Sequence, residues 1–295
     1  MRGSLLKATL AACALTVASG ASMAGAIVTQ WSYSNDATFT AASFGNGSGS
    51  TNGVSGSPDY ELSWGAFGGD FQNPSSNPSD NRSALTIGNG ATGTLTGGGP
   101  ATGSVDTHIG GGTPSGSEIG VGINITHWNN PISGLFATLQ GGTIHDTLTL
   151  TPVLPNPGPS IDAPAIDFVF KFLETPNAGP CAGGTATPCG DLFGLVSVPT
   201  LNLPFTYDGN QYLASILVTD GQGGASPIGQ LLDAECTALG LAAGCQGWRT
   251  DEEAATTVQF GFSISTQPVF VPEPAALALM AFGLFGIGYR CRKTA

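Results

Sequence analysis

Positive charge is what this chain lacks most. Between residues 27 and 268 only Arg82, Lys171 and Arg249 are basic, against nineteen acidic residues, a sharper imbalance than the −12 of the whole 295-residue chain. Phosphate backbones and anionic lipid headgroups repel a body of that sign, which excludes nucleic-acid binding. No G-x-S-x-G turn marks an activated serine, and no Cys-x2-Cys pair has zinc-site spacing. None of the acidic clusters follows the alternating D-x-D-x-D-G order of a calcium loop. Helix signals are few. Glycine and proline, 45 and 20 residues, stop just short of the composition of wholesale disorder, so the chain reads as strands punctuated by loose loops. The body, about 240 residues, is long enough for one sizeable core.

The two ends carry addresses. Arg2 and Lys7 precede a small-residue apolar stretch at 8–18, and Ala24-Gly25-Ala26 offers a signal-peptidase site. Residues 1–26 are therefore expected to be a leader handled by the Sec translocon and signal peptidase, with a mature start near Ile27. Leu10-Ala11-Ala12-Cys13 has the order of a lipobox, but only five residues separate Lys7 from Cys13. That is short for an h-region, and Cys13 is expected to leave with the leader. At the other end, Pro272-Glu273-Pro274 leads into fifteen apolar residues and then Arg290, Arg292 and Lys293. Fifteen residues make a helix of ~22 Å, short of a hydrocarbon core of ~30 Å. The cations hold the end on the cytoplasmic face of the inner membrane.

This order, Pro-Glu-Pro, short apolar helix, basic cluster, chain end, resembles the PEP-CTERM sorting signal of Gram-negative bacteria. The resemblance implies an exosortase partner, a membrane transpeptidase-like enzyme that processes the precursor near Pro272–Pro274, delivery to the cell surface or extracellular matrix, and an association with exopolysaccharide. A plain tail anchor is the alternative, and the leader at the opposite end weighs against it. With both ends set aside, Cys181, Cys189, Cys236 and Cys245 remain on the oxidising side of the membrane. Four cysteines allow three connectivities; the short loops favour Cys181–Cys189 and Cys236–Cys245.

Within the body, period-two stretches are expected as strands at 27–33, 60–64, 83–87, 119–127, 135–139, 143–151, 166–173, 201–207, 211–219 and 257–265. In 166–173, Ile166, Phe168, Phe170 and Phe172 fall on one face; in 257–265, Val258, Phe260, Phe262 and Ile264 do. Asp208-Gly209 is a hairpin turn. The Gly/Thr tract at 88–117 reads as flexible loop or a flat, weakly specified hairpin. Ser226-Pro227 starts one helix that Gly244 stops, with Ile228, Leu231, Leu232 and Leu239 near one face and Cys236–Cys245 as its staple. The expected fold is all-β, a β-sandwich of antiparallel strands with one short disulfide-pinned helix, an N-terminal signal helix and a C-terminal transmembrane helix. The expected plan is leader 1–26, body 27–265, stalk 266–271 and sorting signal 272–295.

One stretch invites a chemical reading: Thr126-His127-Trp128-Asn129. On a strand His127 and Asn129 share a face, and Thr126 and Trp128 take the other. The tetrapeptide, with Leu62-Ser63-Trp64-Gly65 and Ser83-Ala84-Leu85 upstream, resembles the THxN family of PEP-CTERM proteins over roughly residues 31–150. That resemblance implies no activity. Physically, His127 and Asn129 are expected to satisfy each other or a backbone carbonyl, as a buried polar clip beside a tryptophan. A zinc site from His127, His145 and Asp146 is conceivable, but alternation points His145 and Asp146 apart. Carboxylate pairs can be drawn from Asp167, Glu174 or Asp251-Glu252-Glu253, and nothing in the sequence selects one. The reading is thus a non-catalytic surface or matrix protein with no metal and no cofactor. Its rivals are a polysaccharide-binding module using exposed Trp31, Trp64, Trp128 or Trp248, and a secreted matrix hydrolase. The hydrolase would need two carboxylates, or His127 and an acid, to converge in a cleft.

Overall fold

A computed structural model describes residues 24–45, 59–182, 188–197, 202–219 and 228–269. Most of the expected leader, the whole sorting signal and Ser226-Pro227 lie outside the described residues. Among the described residues fourteen strands form one branched sheet, in the order β12-β13-β9-β8-β6-β1-β4-β14-β5-β3-β2, with β11-β10 attached to β14 and β7 to β6. The long central pair is β1 (Gln30–Gly45) with β6 (Thr138–Leu154). Beyond β6 lie β7 (Ile161–Asp162), β8 (Ile166–Leu173), β9 (Asp191–Leu195), β13 (Gln246–Thr250) and β12 (Gly229–Gln230). On the other arm are β4 (Ala101–His108), β14 (Ala254–Ser265), β5 (Gly120–Asn129), β3 (Arg82–Asn89) and β2 (Glu61–Gly65), with the hairpin β10 (Leu203–Tyr207) and β11 (Asn210–Thr219).

The sheet is mixed, which corrects the antiparallel expectation. Ile264 and Ser265 of β14 run parallel to Thr107 and His108 of β4, and this short seam joins the two arms. The arms face each other across aromatic side chains. Phe168 of β8 meets Phe260 of β14 at 6.1 Å between ring centroids, and Phe172 meets Trp64 of β2 at 5.0 Å. β8 buries Phe168, Phe170 and Phe172 and exposes Asp167, Val169 and Lys171, as its alternation requires. A second cluster packs Trp31 edge-on against Tyr207 and Tyr212, near Phe205. The hairpin turn has Asp208 and Gly209 at φ 47° and 76°, the left-handed pair that a two-residue turn demands.

Several sequence readings are corrected. The tract at 88–117 contributes β4, a strand hydrogen-bonded on both sides; its small residues leave room for neighbours, and Tyr33 lies directly over Gly103. β14 is buried on both faces from Val258 to Ser265 rather than on one, and Gln259 is satisfied inside by the carbonyls of Gly122, Ile123 and Phe260. The α-helix, the only one among the described residues, runs only from Asp233 to Ala238 (α1). Gly229 and Gln230 pair with β13 instead, and the Glu235 carboxylate accepts from the Leu232 N–H at 2.9 Å to begin the helix there. Leu231, Cys236 and Leu239 pack on Leu192. Both expected disulfides are present, with Cα atoms 5.2 Å apart for Cys181–Cys189 and 5.7 Å for Cys236–Cys245. Trp31, Trp64 and Trp248 are buried, so they cannot stack sugar rings from solvent; Trp128 alone of the four is half-buried, with its ring near Phe71.

Gly141-Gly142 lies inside β6, which runs on through the gap between the strands expected at 135–139 and 143–151. A Cβ at Gly142 would sit 2.5 Å from the Ala41 carbonyl oxygen and 2.8 Å from the Phe170 ring. The Gly142→Ala protein is expected to lose ~1–3 kcal/mol of stability through this overpacking, read by chemical denaturation. An unchanged midpoint would contradict the tight β1–β6–β8 packing.

Candidate functional site

His127 sits on β5 between β3 and β14 and is 1% exposed. Its ring stacks on Trp64 (centroids 5.9 Å, planes 18° apart), and Phe172 meets it edge-on at 4.9 Å. Strand alternation works as expected. Asn129 donates from Nδ2 to the Thr250 carbonyl at 3.0 Å, while Thr126 bonds Thr257 at 2.9 Å and the Trp128 indole N–H donates to Thr86 Oγ1 at 2.9 Å. His127 and Asn129 do not satisfy each other. His127 Nε2 has no hydrogen-bond partner and lies 3.7 Å from Asp191 Oδ2. Burial drops the imidazole pKa to about 3, so the ring is neutral and this approach is no ion pair.

Asp191 opens β9 and is itself 1% exposed. Its Oδ1 accepts from the Thr175 N–H at 2.8 Å and the Thr175 hydroxyl at 3.2 Å. Its carboxyl also bonds that of Glu174, whose Oε2 accepts from the Trp64 indole N–H at 2.6 Å. Burial, then the charge of Glu174, raises Asp191 well above the carboxylate range, so the buried pair shares a proton. Burial raises Glu174 to about 7, against the opposing pull of the Trp64 and Asp191 hydrogen bonds. Glu252, just beyond β13, is also raised to about 7, first by burial and then by the charges of Glu174 and Glu253; neither of its buried oxygens has a hydrogen-bond partner. Three carboxyls thus crowd together without a cation. Arg82 is held by Ser63 and Glu61, and Arg249 by Glu235 at 2.9 Å with Asp251 beyond.

Of the acids singled out in the sequence, Glu174 and Glu252 converge on the cluster, while Asp167 and Asp251 do not. His145 turns outward to Asp167 at 2.7 Å, and Asp146 turns inward, where Asn35 donates to both its oxygens. His127, His145 and Asp146 are therefore not brought together, and among the described residues no three acidic, histidine or cysteine side chains are arranged to hold a metal ion. Asp191 was missed. Its signal was an acid heading the buried apolar strand DLFGL, a position that requires a polar partner.

The cluster approaches solvent at Glu174. This half-buried residue lines an open groove of about 770 Å³ between residues 132–140, the end of β8, residues 174–178 and the end of α1. His127, Asp191 and Glu252 do not line it. Chemically the arrangement is a proton-sharing carboxyl pair, braced by an indole donor and two Thr175 donors, with one carboxyl at a groove floor.

Residues 270–293 match the PEP-CTERM protein-sorting motif, so the chain carries that motif and is an exosortase-targeted, exported surface protein. No curated protein and no solved structure matches the chain significantly.

Because burial raises Glu174, Glu252 and Asp191, the folded chain keeps protons that unfolded carboxyls release at about pH 4. Their stabilisation is complete below that pH and is lost as pH rises through about 7. The melting temperature is expected to fall between pH 5 and pH 8. Glu174→Gln keeps an acceptor for Trp64 and removes one titration, so it should flatten that slope. A wild-type melting temperature that rises between those pH values would contradict the protonated cluster.

Proposed function

We propose that this exosortase-targeted surface protein is a non-catalytic structural component of the extracellular matrix, built on a two-layered β-sandwich body and associated with exopolysaccharide. The observation that carries the reading is the union of a sorting motif at 270–293 with a body that seals His127, Asn129 and Asp191 inside. His127, Asn129 and Asp191, each 1% exposed or less, brace β5, β9 and β13 from within, where no dissolved substrate reaches them. The Sec leader would deliver the chain across the inner membrane, the apolar tail would hold the precursor there, and the exosortase would act at Pro272-Glu273-Pro274. A proline on each side of Glu273 fixes φ and removes backbone donors, a rigid element for an enzyme to read.

A second reading, a secreted matrix hydrolase, draws on one feature: Glu174 lies at the groove floor with a pKa near the ambient range. Its neighbour Asp191 is closed off, so Glu174 would need a second group from the groove wall.

Mature protein mixed with exopolysaccharide from its own cells is expected to co-sediment with the polymer and release no reducing ends. Failure to co-sediment would remove the association. Reducing ends that appear with the wild type and vanish with Glu174→Gln would favour the hydrolase. Separately, replacing Pro272, Glu273 and Pro274 by alanine is expected to leave full-length precursor in the membrane fraction; normal release would contradict the sorting role.

A further inference from the structure

The expected stalk begins inside the fold. β14 ends at Ser265, the Thr266 N–H donates to the His108 carbonyl at 3.1 Å, and the chain docks at Val269, which is 1% exposed. Asn202 grips Val269 at both backbone groups. Its Oδ1 accepts from the Val269 N–H at 2.8 Å, and its Nδ2 donates to the Val269 carbonyl at 3.2 Å. Asn202 is in turn fixed by its own N–H, which donates to the hydroxyl of fully buried Ser215 on β11 at 2.9 Å. On the far side Gly112 forms a parallel bridge to Val269. Asn202 adopts φ 62°, a left-handed conformation that asparagine and glycine tolerate and most residues do not.

The position of this clamp matters because the sorting motif starts at the next residue, 270. From Val269 to Pro272 the chain spans three residues, at most ~11 Å when fully extended. An enzyme embedded in the membrane must take the motif and its flank as extended chain, and the flank is held in the body. Cleavage beside a docked segment proceeds through its locally opened form, and its rate follows the population of that form when opening is fast.

We propose that the Asn202 clamp on Val269 sets the rate at which the sorting signal is processed, because it withholds the residue adjoining the motif from the exosortase. The proposal rests on the reading of residues 270–293 as a processed signal. The clamp thereby links sorting to the state of the body: Val269 is gripped only when β11 and the Asn202 loop are in place, so a folded precursor is processed slowly and steadily. A chain that has not assembled this corner presents its signal without restraint.

Asn202→Gly is the direct probe, since glycine keeps the φ and loses both side-chain bonds; Asn202→Asp keeps the acceptor and loses the donor. Full-length wild-type and variant precursors are followed in native cells by pulse-labelling and intact mass. Amide exchange at Val269 and thermal melting are measured on the same proteins. Loss of two hydrogen bonds is expected to speed processing of Asn202→Gly about tenfold, with Asn202→Asp in between and melting nearly unchanged. Faster exchange at Val269 with wild-type processing rates would overturn the clamp's role. Should the glycine variant fail to fold, equal rates for wild type and Asn202→Asp would overturn it as well. Wild-type protein that keeps its tail throughout would instead overturn the sorting reading, and the clamp's role with it.

Discussion

The joint between Trp64, Glu174, Asp191 and His127 is the constraint on which the rest of the body depends. It ties β2, β8, β9 and β5 at one point, with Phe172 packed edge-on against both the indole and the imidazole. Burying carboxyls is expensive unless charge is removed or compensated. Here it is removed. The body has three cations; two are committed to Glu61 and to Glu235 with Asp251, and Lys171 faces solvent. A proton takes the place that an arginine would fill elsewhere, and the scarcity of positive charge in the sequence becomes the chemistry of the core. Deleting the Glu174 carboxyl would leave the Trp64 indole N–H buried without its acceptor, which costs more than the lost bond itself.

Much of this architecture was legible, and the unreadable parts share a cause. The alternation of 166–173, the Asp208-Gly209 turn and both disulfides followed from local rules that hold wherever one face is buried. β4, β9 and β13 were not readable: β9, flanked on both sides and buried throughout, needs no alternation, and the glycines of β4 and β13 mark close approach rather than a turn. The helix was overextended because Pro227 and Gly244 set its limits in sequence, whereas the pairing of Gly229 and Gln230 with β13 claims its first turn.

The candidate site was legible by half. His127 and Asn129 were placed correctly on one strand face and were correctly read as interior. Their partners were not, since Asp191 and Thr250 lie more than sixty residues away and reach them only through the β9–β13 pairing. Glu174 and Glu252 were among the acids considered, but sequence spacing gave no reason to prefer them to Asp167. Only the crossing of β8 over β5 makes that choice.

Function follows the C-terminal motif more than the centre of the body. The motif at 270–293 fixes export and exosortase targeting, and the body offers the sorting enzyme a folded corner rather than a free linker. The most direct measurement is the intact mass of the wild-type protein recovered from its native cells and medium. The account predicts a species lacking both the leader and the residues beyond the Pro-Glu-Pro element, with Cys181, Cys189, Cys236 and Cys245 all oxidised. A mass that retains the apolar tail and its basic end in the mature protein would contradict it and leave an ordinary membrane anchor.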